Sequence, residues 1–453
     1  MKDSRQDIER RLDAARARAA ERIAALHDRI SLTEYRALVK TVDGSEVWSD
    51  ALQRALDEHQ VVAIPARGEP YFLDRQIVIG SDRRIEADGA TLRQTPGCRV
   101  LMLRNRSCAD GTHAPIRGVK RDANISICGG RWEEARSERA GYGKSGMFDE
   151  ARSLFGVSTL FLFNNMEDLT LEDVTFAHTG GFAVQIGDVT GAFFERIRFD
   201  SCYADGLHIN GNTENLLCRD VRGEVGDDLV ALNAYDWQNS SVNFGPIQTA
   251  LCQGLELAES SRYKALRIEP GRYFYDDGSS VDCSISDAIF RDVRGIRTFK
   301  LYYQTPRYRL GEAPERGGVG SADNLFFEDV AVDLCAPIDP FDEYLRSDPV
   351  RGSIAAFELG ANIGRIQLEN IDLTLHREQF PCSYLLCCGP KSIVYEGDEI
   401  FDPYVSCGVG RLELRGIRVN GQPAASAEGL VREIDLTGLN GGRGQIEQIV
   451  FEK

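Results

Sequence analysis

Two short segments carry the side chains best suited to chemistry, Tyr203-Ala204-Asp205-Gly206-Leu207-His208-Ile209 and Val225-Gly226-Asp227-Asp228-Leu229-Val230-Ala231-Leu232. Set one above the other at an offset of 23 residues, they bring Asp205 over Asp228, Leu207 over Val230 and Ile209 over Leu232. Phe182-Ala183-Val184-Gln185-Ile186 precedes by the same 23 residues, with Val184 and Ile186 in line with Leu207 and Ile209. A repeat of this length around a short alternating strand is the pattern of a solenoid whose coils stack as parallel strands. Adjacent strands lie ~4.8 Å apart, so Asp205 and Asp228 nearly touch, with Asp227 beside them. Ionised carboxylates this close repel, and one tends to keep a proton near neutrality. A third carboxylate then gives the set both a donor and a base. Glycosidic bond cleavage uses such a set, one carboxyl protonating the leaving oxygen while another activates water. Taken singly, Asp205-Gly206 and Gly226-Asp227-Asp228 read as turn formers; their coincidence in one column points to function.

The strands that position them follow from alternation. Leu207 and Ile209 face inward, so His208 faces out, in one column with Gln185, Ala231 and Arg267. Strict alternation would send Asp205 inward as a bare carboxylate, which is costly without partners, so Asp205 and Asp228 are expected in the turns before their strands. Setting Leu266 and Ile268 in the columns of Val230 and Leu232 puts Lys264 above Asp228, and Gly295 to Tyr303 supplies Arg297 and Lys300 on a further coil. Gln185, His208, Lys264, Arg267, Arg297 and Lys300 are thus the candidate substrate contacts, with Trp237 and Tyr302 as weaker aromatic ones. A solvated strand residue is the plain alternative for each.

From Leu160 to Asn233 the chain resembles glycoside hydrolase family 28, the polygalacturonases and their relatives. The family's Asn-Thr-Asp-Gly-x-Asp is similar to Tyr203-Ala204-Asp205-Gly206-Leu207-His208, and its Gly-x-Asp-Asp element to Val225-Gly226-Asp227-Asp228. The resemblance implies a right-handed parallel β-helix, with Asp227 as general acid, Asp205 and Asp228 activating water, and inversion at the anomeric carbon. It also has gaps. Tyr203-Ala204 replaces Asn-Thr, His208 replaces the motif's last carboxylate, and Lys264 stands where the register puts the family's Gly-His-Gly histidine. The family's Arg-x-Lys pair, which grips a substrate carboxylate, has no literal copy; Arg297 with Lys300, or Arg267, comes nearest. The implied activity is inverting hydrolysis of oligosaccharides, pectin-derived ones among them, with altered sugar specificity. Two alternatives stay open. One is a β-helix lyase or epimerase using Lys264 or Arg267 as base on a uronic acid. The other is a non-catalytic glycan-binding solenoid, which would tolerate Asp227→Asn.

The rest of the chain fits one long all-β domain behind a helical start, with residues 1–60 as an N-terminal helical segment and cap and 61–453 as the β-helix. Ile8, Leu12, Ala15, Ala19, Ile23, Leu26 and Ile30 trace one stripe on a helix. That stripe would pack on its own domain or pair with a second subunit, making a homo-oligomer. A short helical stretch from Leu32 to Val42 and another from Trp48 to His59 would close the first coil. Short strands then recur at Ile77 to Ile79, Arg84 to Ala87, Val100 to Leu103 and Asn124 to Ile127, punctuated by Gly, Asp and Asn. A glycine-rich segment, Gly141 to Gly146, lacks phosphate-loop spacing and reads as a surface loop. Trp237 to Gln248 reads as another loop, and later strands run to the C-terminus.

A formal net charge of −17 argues against nucleic acid and sits awkwardly with a polyanionic substrate. The twelve cysteines are scattered without paired Cys-x-x-Cys motifs, so reduced, buried thiols are expected and no metal or organic cofactor is implied. No apolar run approaches the ~20 residues of a membrane span. The charged N-terminus lacks the apolar core of a signal peptide, which points to the cytoplasm.

Overall fold

In a computed structural model the chain winds as a parallel β-helix. The described residues are 5–134, 159–236, 241–302, 319–335, 354–389 and 406–453, less 99, 110, 112–114, 276, 436 and 440–441, with the backbone of 308–309, 317–318, 394–395 and 399–400. The glycine-rich segment Gly141 to Gly146 and the side chains of Trp237 and Tyr302 lie outside them.

The sheet that carries the candidate site stacks Phe182–Cys202, Leu207–Asn210, Val230–Asn233, Ala265–Glu269, Thr298–Tyr302 and Ile354–Gly360 in parallel. Its register is the one read from the repeat, Val184 to Leu207 to Val230 and Ile186 to Ile209 to Leu232. Ile268 then follows Leu232, and Arg267 follows Ala231. Inward positions fill one continuous core, in which Phe299 stacks on Phe357 with ring centroids 4.8 Å apart.

The Asn, Asp and Gly punctuation has a backbone cause. Asn124, Asp168, Gly191, Asn215, Asp287 and Asn324 all have positive φ, between 54° and 83°, and each immediately precedes a residue in one register column, Ile125, Leu169, Ala192, Leu216, Ala288 and Leu325. These coils turn the same corner through a left-handed residue, where Asn, Asp and Gly carry the least penalty, whereas Arg365 and Arg411, which precede the next two members of the column, Ile366 and Leu412, do not have positive φ. Thr249 occupies that place on one coil at φ 59°.

The first helix, α1 (Arg5–Ala24), does not close the end of the solenoid. It lies along its flank, with Ile8, Leu12, Ala15 and Ala19 buried against Phe193, Leu217, Leu251, Ile289 and Phe326. Those five form one outward register column, an apolar seam on successive coils. Arg16 pairs with Glu172 and Glu195, Arg5 with Glu328 and Glu369, and Glu9 with Arg291, fixing the helix along its length. The stripe that suggested a second subunit is thus covered by the chain's own coils. Leu12→Ala is expected to cost about 2–4 kcal/mol, read as a lower urea midpoint.

The cap is α2 (Ser49–Glu58), whose Ala51, Leu52, Ala55 and Leu56 join the main core with Trp48. Leu32–Leu38 is a 3-10 turn rather than a longer helix, and Lys40–Val42 pairs antiparallel with Ser45–Val47. The strand expected from Val100 instead runs Leu103–Asn105. The last strand, Ile449–Glu452, still pairs in parallel with Cys407–Arg415, so the coil persists to the C-terminus. Cys202, Cys218, Cys252 and Cys283 are free and buried. No helix among the described residues is long and apolar enough to cross a membrane.

Candidate functional site

Asp205 and Asp228 sit in the bends just before Leu207–Asn210 and Val230–Asn233, one coil apart. With Asp227 they offer one carboxylate oxygen each within 4.8 Å of one another. Their exposure divides them. Asp205 and Asp228 are 3% and 0% exposed, whereas the Asp227 side chain keeps 26%. The turns are held by glycines with no room for a side chain. A Cβ on Gly226 would lie 1.9 Å from the Tyr203 carbonyl oxygen, and one on Gly206 would lie 2.5 Å from the Phe199 ring. Gly226→Ala is expected to lower the melting temperature, whereas Gly68→Ala, with open space around it, leaves it unchanged.

His208 departs from expectation. Its strand position faces away from the core, as alternation requires, yet it is 2% exposed rather than solvated. The ring stacks on Phe182 at 4.0 Å between centroids; Nδ1 meets Asp205 Oδ2 at 2.6 Å and Nε2 meets Asp236 Oδ2 at 2.9 Å. Burial alone would favour neutral imidazole, but the two carboxylates overrule it and push the pKa up to about 10. The ring is therefore a fixed imidazolium joining two acids. Asp205 is complete on its other side as well, since Oδ1 accepts from the Asp228 backbone N–H at 3.3 Å.

Arg267 is the second cation. Its guanidinium lies 3.2 Å from Asp228, 3.7 Å from Asp227 and 3.7 Å from Glu269. Burial first, and then the neighbouring Asp227 and Asp205, hold the Asp228 carboxyl well above the usual range, against the pull of Arg267 and Lys300. Burial and Asp227 raise Asp205 too, opposed by His208. Burial pushes Glu269 up to about 8, opposed by Arg267. Burial thus favours the protonated form at both Asp228 and Glu269, while Arg267 pulls the other way. The three aspartate oxygens are spaced closely enough to hold a divalent ion, but the Arg267 guanidinium already supplies positive charge against Asp228, which disfavours one.

The other candidates separate. Gln185 stands in register with His208 but is fully buried and donates to Asn210 Oδ1 at 2.7 Å, which makes it a brace rather than a surface contact. Lys300 follows Arg267 in the same column, 2% exposed, with Nζ 4.9 Å from the Tyr263 ring centre. Lys264 keeps the register but not the contact. Its ammonium turns away from Asp228 to the carbonyl oxygens of Ala258 and Glu259, each at 2.7 Å, because it precedes the strand and the preceding turn offers those acceptors. Arg297 likewise reaches Glu259, at 3.4 Å. Both therefore stand apart from the aspartates.

Sequence reasoning missed Asp236, Asn210, Asn233 and Glu269. Asn210, Asn233 and Glu269 form one column beside the His208 column, in direct register. The signal was present, since Asn210 and Asn233 share the 23-residue offset and Glu269 is two residues beyond Arg267 on the same face. Asp236 carried none, because it lies beyond the strand in a segment outside the repeat.

Several solved structures share this winding. The exopolygalacturonase of Thermotoga maritima aligns over 97% of this chain and 96% of its own at a TM-score of 0.50 and 12% identity. The likeness is one of fold. The tailspike protein of E. coli bacteriophage HK620, solved with a pentasaccharide, covers 87% of this chain and 64% of its own at TM-score 0.49 and 11% identity. The family 28 exopolygalacturonase of Yersinia enterocolitica covers 94% and 78% at TM-score 0.41 and 11% identity. No protein-family model and no curated protein matches the sequence.

Proposed function

We propose that the protein is an inverting glycoside hydrolase of polygalacturonase type, with altered sugar specificity, acting on oligosaccharides bound along the outer face of the β-helix. The observation that carries this reading is the convergence of Asp205, Asp227 and Asp228 within 4.8 Å, with one open to solvent and two sealed behind it. Asp227 is the member able to meet a glycosidic oxygen, and it donates the proton to the leaving group. Burial favours the protonated form of Asp228, which hands its proton to Asp227 before the bond breaks. Asp205, anchored by His208, takes the proton from the water whose oxygen attacks the anomeric carbon, while the old C–O bond breaks. Having passed its proton on before the bond breaks, Asp228 offers two oxygens that make no hydrogen bond among the described residues and helps hold that water, and the proton taken by Asp205 returns to Asp228 to reset the site.

Oxygens within 4.8 Å stand closer than the roughly 6.5–9.5 Å of most inverting pairs and nearer the ~5 Å of retaining ones. Retention, however, needs a second carboxylate to bond the anomeric carbon, and Asp205 and Asp228 are sealed from a sugar. Inversion is the reading adopted. The β-elimination alternative gains no support, since the Lys264 ammonium is held by two carbonyls and Arg267 is ion-paired to Asp228. The same fold carries an exopolygalacturonase in the T. maritima protein. The test is a panel of neutral and acidic oligosaccharides with the products followed by proton NMR. Hydrolysis with an inverted anomer supports the reading, and an unsaturated, ultraviolet-absorbing product contradicts it.

A further inference from the structure

Behind the aspartates lies a sealed group of polar side chains. Val230, Leu232, Leu266 and Ile268 face the core, so Ala231, Asn233, Arg267 and Glu269 face outward on adjacent strands, Arg267 beside Ala231 and Glu269 beside Asn233. Ala231 also stands between His208 and Arg267 in its column, so only a methyl group fills the face between two long side chains. Asp228, Asn233 and Glu269 are all 0% exposed. Arg267 Nε lies 3.2 Å from Asp228 Oδ2 and 3.7 Å from Glu269 Oε1. Neither approach is a hydrogen bond. Both oxygens of Asp228, both of Glu269, the amide nitrogen and oxygen of Asn233 and Arg267 Nε make none among the described residues. Buried polar atoms are paired as a rule, and the single Nε–H cannot serve two carboxyls at once. A small sealed site with several such atoms suits a water, which typically makes about three hydrogen bonds.

We infer that an ordered water enclosed by Asp228, Asn233, Arg267 and Glu269 ties Glu269 to Asp228, making Glu269 a positioning residue for the aspartate that supplies the proton. The positioning role rests on the hydrolase reading, whereas the water-mediated link does not. Glu269 is faced by Arg267, Asp236, His208 and Asp205, and Asp228 by Arg267, Asp227, Asp205 and Lys300. While Glu269 is protonated, its O–H donates to the water and the water donates to Asp228, which eases release of the Asp228 proton to Asp227. Once Glu269 ionises, a further negative charge faces Asp228 and holds that proton back. Burial, opposed by Arg267, places this change at about pH 8.

The first measurement is a crystal structure of the full chain. Density for a water within hydrogen-bond distance of both Asp228 and Glu269, about 2.7–3.2 Å, supports the inference; side chains that bond one another directly, with no water between them, overturn it. The second is the pH profile of kcat on any oligosaccharide the protein turns over, with circular dichroism confirming the fold at each pH. The wild-type rate is expected to fall as pH rises through about 8. Glu269→Gln, whose amide donates but does not ionise, is expected to lose that fall, and Glu269→Leu, which cannot donate, to lower kcat by about 10-fold at neutral pH. A wild-type profile without the bend, or the same bend in Glu269→Gln, overturns the positioning role. If no oligosaccharide is turned over, the hydrolase reading and the role built on it fail together, and the crystal structure alone decides the water-mediated link.

Discussion

Asp227→Asn is expected to lower glycan turnover by about 10²–10⁴-fold, the usual contribution of a positioned acid or base, without lowering the melting temperature. The two halves of this result depend on different facts. Activity falls because an amide in the position of the open member of the cluster has no proton to give to the leaving oxygen. Stability holds because Asp227 stands among like charges, and both Asp205 and Asp228 are raised in pKa partly by its presence. Removing that charge relieves repulsion, as is common where a site is tuned for chemistry rather than for stability. Measuring kcat and the thermal midpoint on one preparation separates this from misfolding. Full activity in Asp227→Asn would move the acid elsewhere or leave a glycan-binding solenoid.

A second large effect is on stability against alkali. His208 is held near pKa 10 by Asp205 and Asp236, against an ordinary value of 6.5. A folded-state value raised above the unfolded one contributes stability that is fully present below about pH 6.5 and is lost as pH rises through 10. A shift of this size corresponds to about 5 kcal/mol. Glu269, raised to about 8 from 4.5, acts in the same direction lower down, since the folded state keeps a proton that the unfolded chain releases. The urea midpoint is therefore expected to fall steadily between pH 6.5 and 10. His208→Gln lowers the midpoint at neutral pH, where Asp205 and Asp236 lose their shared partner, but flattens the slope above pH 6.5. An equally steep slope in that variant would rule out a charged His208.

Where the chain repeats, its structure was legible. The 23-residue offset gave the register of Val184, Leu207 and Val230, and extending it past an irregular segment correctly brought Arg267 beyond Ala231. Periodicity fixes which backbone positions stack, because each coil must reproduce the last one's corners and core. It does not fix where a long side chain goes once its residue leaves the ladder. Lys264 shows this, with its backbone in line but its ammonium drawn to the carbonyls of Ala258 and Glu259. His208 shows the complement. Alternation gave its direction, but its burial depends on Phe182 from the coil before and Asp236 from a non-repeating segment. The apolar stripe of α1 was equally clear, and its destination was not. The receiving seam is spread over five strands, from Phe193 to Phe326, and only the folded register assembles it.

The most direct measurement is turnover in water enriched in oxygen-18, with each product fragment weighed by mass spectrometry. If the aspartates activate water against an anomeric carbon, one heavy oxygen appears at the new reducing end of the glycone for every bond cut, and the label vanishes with turnover in Asp227→Asn. Cleavage that leaves both fragments unlabelled would contradict hydrolysis at this cluster.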